Sequence, residues 1–135
     1  MKFVKYLFFI VILHSCKAQT NLKTMIINYD AATRGSSIKF EVTSTKVYYK
    51  DIEKTIETKT NSKFWKEITT IVKQINLSEI ENFIPPTSNR NVDAALHETL
   101  SISIDNLTYK SQTFDHGNPP DELKPIVEVL FKVLE

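Results

Sequence analysis

"LSISIDNLTYKSQTF", residues 100–114, decides the fold. Leu100, Ile102 and Ile104 alternate with Ser101 and Ser103, the period-two pattern of a strand with one buried face. Asp105-Asn106 follows, a pair that tolerates positive φ and closes a tight hairpin between two β-prone runs. Leu107 to Phe114 returns as the partner strand. A two-residue link can only join antiparallel neighbours, so this segment makes the sheet antiparallel.

Working outward, the same pattern recurs upstream. Met25 to Tyr29 is a short β-prone run, and 31–37 reads as a turn or loop. Ile38 to Val42 alternates strictly, Thr43-Ser44-Thr45 turns the chain, and Lys46 to Lys50 resumes as a strand. The polar, Thr-rich segment from Asp51 to Thr60 allows a further extended stretch. The period then changes. Asn61 or Ser62 caps a helix whose apolar stripe is Phe64, Ile68, Ile71, Val72 and Ile75. Asn76 ends it, Ser78 caps a further turn carrying Ile80 and Phe83, and Pro85-Pro86 stops the run. Residues 87–93 form a polar loop. Downstream of the hairpin, Asp115 to Asn118 turn the chain, and Pro119-Pro120-Asp121-Glu122 starts a last helix. Leu123, Ile126, Val127, Leu130, Val133 and Leu134 are its buried face, and Pro125 is tolerated near its start. The order β-β(-β)-α-β-β-α predicts an α+β domain: a mainly antiparallel sheet with two helices on one face.

The first 15 residues belong to a different system. Lys2 and Lys5 flank the start of an apolar run, Tyr6 to Leu13, the layout of an export signal. The run is too short to span a bilayer, which takes about 20 apolar residues. It stops at Leu13-His14-Ser15-Cys16, which resembles the lipobox of bacterial lipoproteins; His14 departs from the small or apolar residue usual at its position. The resemblance implies cleavage before Cys16, a diacylglycerol on its thiol and acylation of the new N-terminus. Lys17, where an Asp would mark inner-membrane retention, favours the outer membrane. Residues 1–15 are thus expected to be a signal peptide, 16–22 a lipidated Cys and polar tether, and 23–135 one domain. Several acyl chains give a firm membrane anchor where one gives a marginal one.

Composition excludes more than it assigns. Cys16 is the single cysteine, so neither a disulfide nor a thiol is left to the folded domain. Losing Lys2 and Lys5 leaves 15 basic against 16 acidic residues, and no basic stripe suited to nucleic acid is present. Gly35 and Gly117 are the only glycines, too few for a phosphate-cradling loop.

Two pieces, "DAALHETL" (93–100) and "FDHGNPPDELK" (114–124), together with "YDAATRGSS" (29–37), resemble a group of small bacterial lipoproteins of no assigned function. A more distant likeness, in element order, is to the emfourin type of proteinase inhibitor, which implies an inhibitory module.

Candidate site residues are few. His97 and His116, with Asp93, Glu98 and Asp115, raise a metal site, yet no His-x-x-x-His pair or Cys set accompanies them; no metal and no cofactor is expected. Serines are plentiful, but no Gly-x-Ser-x-Gly elbow exists, and no enzyme is expected. In Asp115-His116-Gly117-Asn118, Gly117 suits positive φ, and Asp115 or Asn118 suits free helix N–H groups. Arg34 and Arg90 are the only arginines, each in a predicted loop, and arginine is the usual interface anchor. Trp65, Tyr48 and Tyr49 are expected to pack. The expected function is a lipid-anchored, non-catalytic envelope domain that binds a protein partner, an inhibitory role included, with no nucleic-acid partner. The alternative is an envelope domain that binds a small ligand or metal through His97, His116 and Asp115.

Overall fold

The computed structural model describes residues 22–92 and 96–134. The expected export signal, Cys16, tether residues 17–21 and Asp93 lie outside them. The strands are β1 (Ile26–Thr33), β2 (Ser36–Val42), β3 (Lys46–Lys50), β4 (Thr55–Lys59), β5 (His97–Ile104), β6 (Leu107–Lys110) and β7 (Phe114–Asp115). The helices are α1 (Ser62–Val72) and α2 (Lys124–Lys132), with short 3₁₀ turns at Leu22–Thr24, Leu77–Asn82, Asn89–Val92 and Asp121–Leu123.

All seven strands form one antiparallel sheet in the order β4-β3-β2-β1-β5-β6, with β7 continuing beside the start of β5. The fold is α+β, as the alternation and the hairpin require. Both helices pack on one face. There Met25, Ile27, Tyr29, Phe40, Val42, Val47, Leu100 and Ile102 meet Ile68 and Val72 of α1 and Ile126 and Leu130 of α2, all but excluded from water. Burying that much aliphatic and aromatic surface, at about 25 cal/mol per Å², is the main term holding the layers together. No helix among the described residues is long and apolar enough to cross a membrane.

Four local features differ from the sequence expectation. The segment 31–37 is not a loop: β1 and β2 run on to Thr33 and Ser36, leaving only Arg34-Gly35 to turn. Gly35 makes this possible by taking φ +98°, which a side chain would oppose. The return strand of the 100–114 hairpin is broken. β6 ends at Lys110; the Ser111 N–H still donates to the Leu100 carbonyl at 2.9 Å, but the Leu100 N–H goes to the Ser111 hydroxyl at 3.1 Å, and β7 rejoins the ladder at Phe114. The last helix begins later than its prolines and acids suggest, because Asp121–Leu123 form a 3₁₀ turn and α2 starts at Lys124. Conversely α1 stops at Val72, ahead of Ile75. Its start is as expected: the Asn61 side chain accepts from the Phe64 N–H at 2.8 Å, filling a donor that the helix itself leaves orphaned.

The domain has two distinct ends. The chain enters at one of them, where Thr24 Oγ1 donates to Asp105 in the β5–β6 turn (2.9 Å) and Ser44 Oγ, in the β2–β3 turn, donates to the Lys23 carbonyl (3.1 Å). β1 then carries the chain to the other end, where Ala32 pairs with His97 and His97 with Asp115.

Candidate functional site

β5 builds the site by its alternation. His97, Thr99, Ser101 and Ser103 project to the open face; Glu98, Leu100, Ile102 and Ile104 project toward the helices. A carboxylate therefore stands where an apolar side chain would complete the core, and Glu98 is fully buried. β1 presents Tyr29 beside it in the same way, in phase with Ile27 and Ala31. From the other side, the β7–α2 turn brings His116 back to the helix face, with Gly117 at φ +75° to make the reversal.

These three side chains meet. The Tyr29 hydroxyl donates to Glu98 Oε1, and His116 Nδ1 bonds the same oxygen. Tyr29 Oη and His116 Nδ1 are 3.5 Å apart. Glu98 Oε2 has no partner among the described residues. Burial, then the hydrogen bond to Glu98 and the Glu98 charge, push the Tyr29 hydroxyl far above the ordinary tyrosine range, so it remains a donor. An imidazole facing a carboxylate through Nδ1 carries its proton there, which leaves Nε2 on the far side of the ring. No described residue bonds Nε2, and the side chain of His116 is 39 % exposed.

His116 is also part of the wall of a groove. Tyr29, His116, Gly117 and Pro119 line one side; Lys124, Val127, Glu128 and Phe131, successive turns of α2, line the other. Its volume is about 360 Å³, within the range of small-molecule sites. Phe131 stands edge-on to Tyr29 (ring centroids 5.3 Å apart), to Phe40 (5.1 Å) and to His116 (6.2 Å). The wall is thus an aromatic cluster anchored in the core. Lys124, which also lines the groove, is ion-paired with Asp121, Nζ to Oδ1 at 2.6 Å.

Asp115 makes a separate cluster. The β5–β7 register puts it opposite His97, hence on the face away from Glu98 and its partner Phe114. It is fully buried and completely paired. Thr87 Oγ1 donates at 2.5 Å, the Asn89 N–H at 2.6 Å, and the Arg90 N–H and Nη1 each at 3.0 Å. Burial alone would raise this carboxyl; the donors from Thr87, Arg90 and Asn89 override it and hold the group well below the usual carboxylate range.

The sequence candidates therefore part company. His116 belongs to the groove. His97 lies exposed on the opposite face, so the two histidines share no site. Asp115 and Arg90 bind each other, and the Arg90 guanidinium also donates to the Thr87 carbonyl at 2.7 Å; neither presents itself to a partner. Asp115 caps the 89–92 turn, whereas the expectation was the C-terminal helix. Arg34 is exposed at the tip of the β1–β2 turn. Among the described residues no group of three or more His, Cys, Asp or Glu is placed to hold a metal ion. Sequence reasoning set Glu98 aside as an optional metal ligand and read Tyr29 only as a strand residue. The signal for both was phase: each shares the parity of its strand's apolar residues, so each had to point inward. No protein-family model matches the chain, and comparison with the curated proteins finds no match.

Proposed function

We propose that the chain is a lipid-anchored, non-catalytic binding domain of the bacterial cell envelope, held at the outer membrane through Cys16, whose contact surface is the Tyr29–His116 groove. One observation carries this reading: a half-exposed imidazole is braced from behind by a buried carboxylate at the mouth of an aromatic-walled groove. A core built for stability alone has no use for Glu98, because burying a carboxylate with one oxygen unpaired is costly. Such exceptions to core patterning concentrate at functional sites.

Nucleophilic catalysis needs a hydroxyl, thiol or amine within reach of the imidazole. Those lining this groove are Tyr29, which is buried against Glu98, and Lys124, which is paired with Asp121. The groove therefore favours a small ligand, the alternative of the sequence reading, over a protein docked on the arginine loops.

The test is thermal unfolding of the full chain, purified in detergent from a bacterial membrane fraction, against a panel of small metabolites. A ligand at 100 times its Kd stabilises the fold by about 2.7 kcal/mol, and His116→Gln abolishes that gain. Stabilisation untouched by His116→Gln, or turnover of a panel compound, counts against the reading. Separately, Cys16→Ser moves the chain from the membrane to the soluble fraction; retention in the membrane would sink the anchor.

A further inference from the structure

The groove's polar groups are unevenly divided between acceptors and donors. His116 lines it, and when Nδ1–H is given to Glu98 Oε1 its Nε2 keeps a lone pair. Glu128 brings a carboxylate to the opposite wall. Lys124 is the only ammonium there, and two carboxylates act on it: Asp121 by a hydrogen bond and charge, Glu128 by charge, and together they raise its pKa. Behind the ring stands Glu98, buried and carrying an oxygen with no partner among the described residues. The carboxylates of Glu128 and Glu98 thus stand beside a lysine that Asp121 already pairs. The remaining surface is aromatic or aliphatic: Tyr29, Phe131, Val127 and Pro119.

An acceptor-rich pocket with ring faces and excess negative charge is complementary to a cation with donor hydrogens. An ammonium can donate to Nε2 and to the Glu128 carboxylate, bonds that are short and strong when one partner is charged. Its positive charge is favoured over aromatic faces, and its apolar body covers Phe131 and Val127. An organic carboxylate meets the reverse: it finds acceptors where it needs donors, and like charge from Glu128 and Glu98.

Taking the groove as the binding site proposed above, we infer that its ligand is a small organic amine, an ammonium group on an apolar body.

The experiment uses three compounds of one skeleton: 2-phenylethylamine, 3-phenylpropionate and 2-phenylethanol. Each is titrated into the full chain in detergent, with binding followed by calorimetry and by the ring NMR signals of His116. The amine is expected to bind at least about tenfold tighter than the acid or the alcohol, one charge-assisted hydrogen bond being worth about that much. Glu128→Gln, at an exposed helix position, is expected to weaken the amine about tenfold and leave the alcohol unchanged; His116→Gln weakens both. Tighter binding of the acid overturns the amine assignment and leaves the ligand-binding reading standing. So does silence from all three alongside a His116-dependent hit in the metabolite panel. Silence in both experiments overturns the two together. Amine binding indifferent to Glu128 and His116 places it elsewhere and overturns the proposal. Tighter binding of a blocked lysine, N-acetyl-lysine methylamide, would transfer the site to a partner protein's side chain and overturn the small-amine assignment.

Discussion

Two buried carboxylates lie one residue apart across the β5–β7 ladder, on opposite faces, and they are treated oppositely. Asp115 receives four hydrogen bonds, spread over both oxygens, from Thr87, Asn89 and Arg90. Glu98 receives two, both on Oε1, and its other oxygen has none among the described residues. The first arrangement closes a polar loop onto the sheet and leaves nothing over for a ligand. The second holds an imidazole in one orientation and leaves polar capacity unspent. A buried charge is therefore no guide to function by itself; how completely it is satisfied separates a staple from a site.

The contrast can be broken most decisively at Asp115. Asp115→Asn replaces an all-acceptor group with one that presents an NH₂ to two of the four donors. It should give the largest loss of stability in this set, on the order of three times that of a single neutral hydrogen bond, read as a lower urea midpoint and faster proteolysis within 85–92. A loss no larger than that of Tyr29→Phe would end the distinction.

The pH profile sharpens it next. The folded Asp115 carboxyl titrates below its unfolded value of about 3.9. Its contribution is therefore fully present above about pH 4 and is lost as pH falls below that. Asp115→Asn should flatten this acid limb, and an unaltered limb would acquit Asp115. On the alkaline side the sign reverses. Burial and the hydrogen bond to Asp51 push the Tyr49 hydroxyl up to about 12, and Tyr29 is raised further by burial and Glu98. Their contribution holds below about pH 10, the unfolded tyrosine value, and is lost as pH rises through the folded values, because only the unfolded chain gives up those protons readily. Tyr49→Phe should shift the start of that decline, as measured by urea midpoints between pH 9 and 12 (a range of buffers chosen from the tyrosine pKa).

Smaller effects belong to the Glu98 side. Tyr29→Phe keeps the ring contacts with Phe40 and Phe131 and removes one donor, for a loss of about 1 kcal/mol by chemical denaturation. Glu98→Gln is expected to stay within about 1 kcal/mol of the parent, or to gain stability, because it removes a poorly compensated buried charge. The same substitution should loosen His116, broadening its ring NMR signals. A Glu98→Gln variant as damaged as Asp115→Asn would make both carboxylates staples and leave the groove without its rationale.

Much of the scaffold was legible because its periodicities are clean. Leu100, Ile102 and Ile104 announced a strand; Phe64, Ile68 and Val72 announced α1; Ile126, Val127 and Leu130 announced α2. What was not legible depended on single residues or on partners far apart in sequence. Nothing local shows that Arg34-Gly35 alone turns β1 into β2, since Ala31 to Ser37 has the composition of a loop. Cross-strand pairing with 97–103 carries β1 to Ala32, and pairing with Ser36 of β2 adds Thr33. At the break after Lys110 the Ser111 hydroxyl takes the Leu100 N–H in place of a strand carbonyl, a contact without a sequence pattern. At the site, phase put Glu98 and Tyr29 inside, but their meeting with His116 rests on the β1–β5 pairing and on Gly117, which no spacing rule predicts. Arg90 looked like a loop arginine because its carboxylate lies 25 residues away.

The two ends of the domain acquire a meaning once Cys16 is taken as lipidated, as proposed. Six residue steps separate Cys16 from Leu22, a reach of at most about 20 Å, and Leu22 lies at the end carrying the β2–β3 and β5–β6 turns. His116 follows β7, which pairs with the start of β5 at the other end of the sheet, and the groove reaches from there to Tyr29, midway along the eight residues of β1. A lipid on Cys16 would thus hold the pole opposite His116, leaving the groove open to dissolved molecules instead of pressing it onto the headgroups.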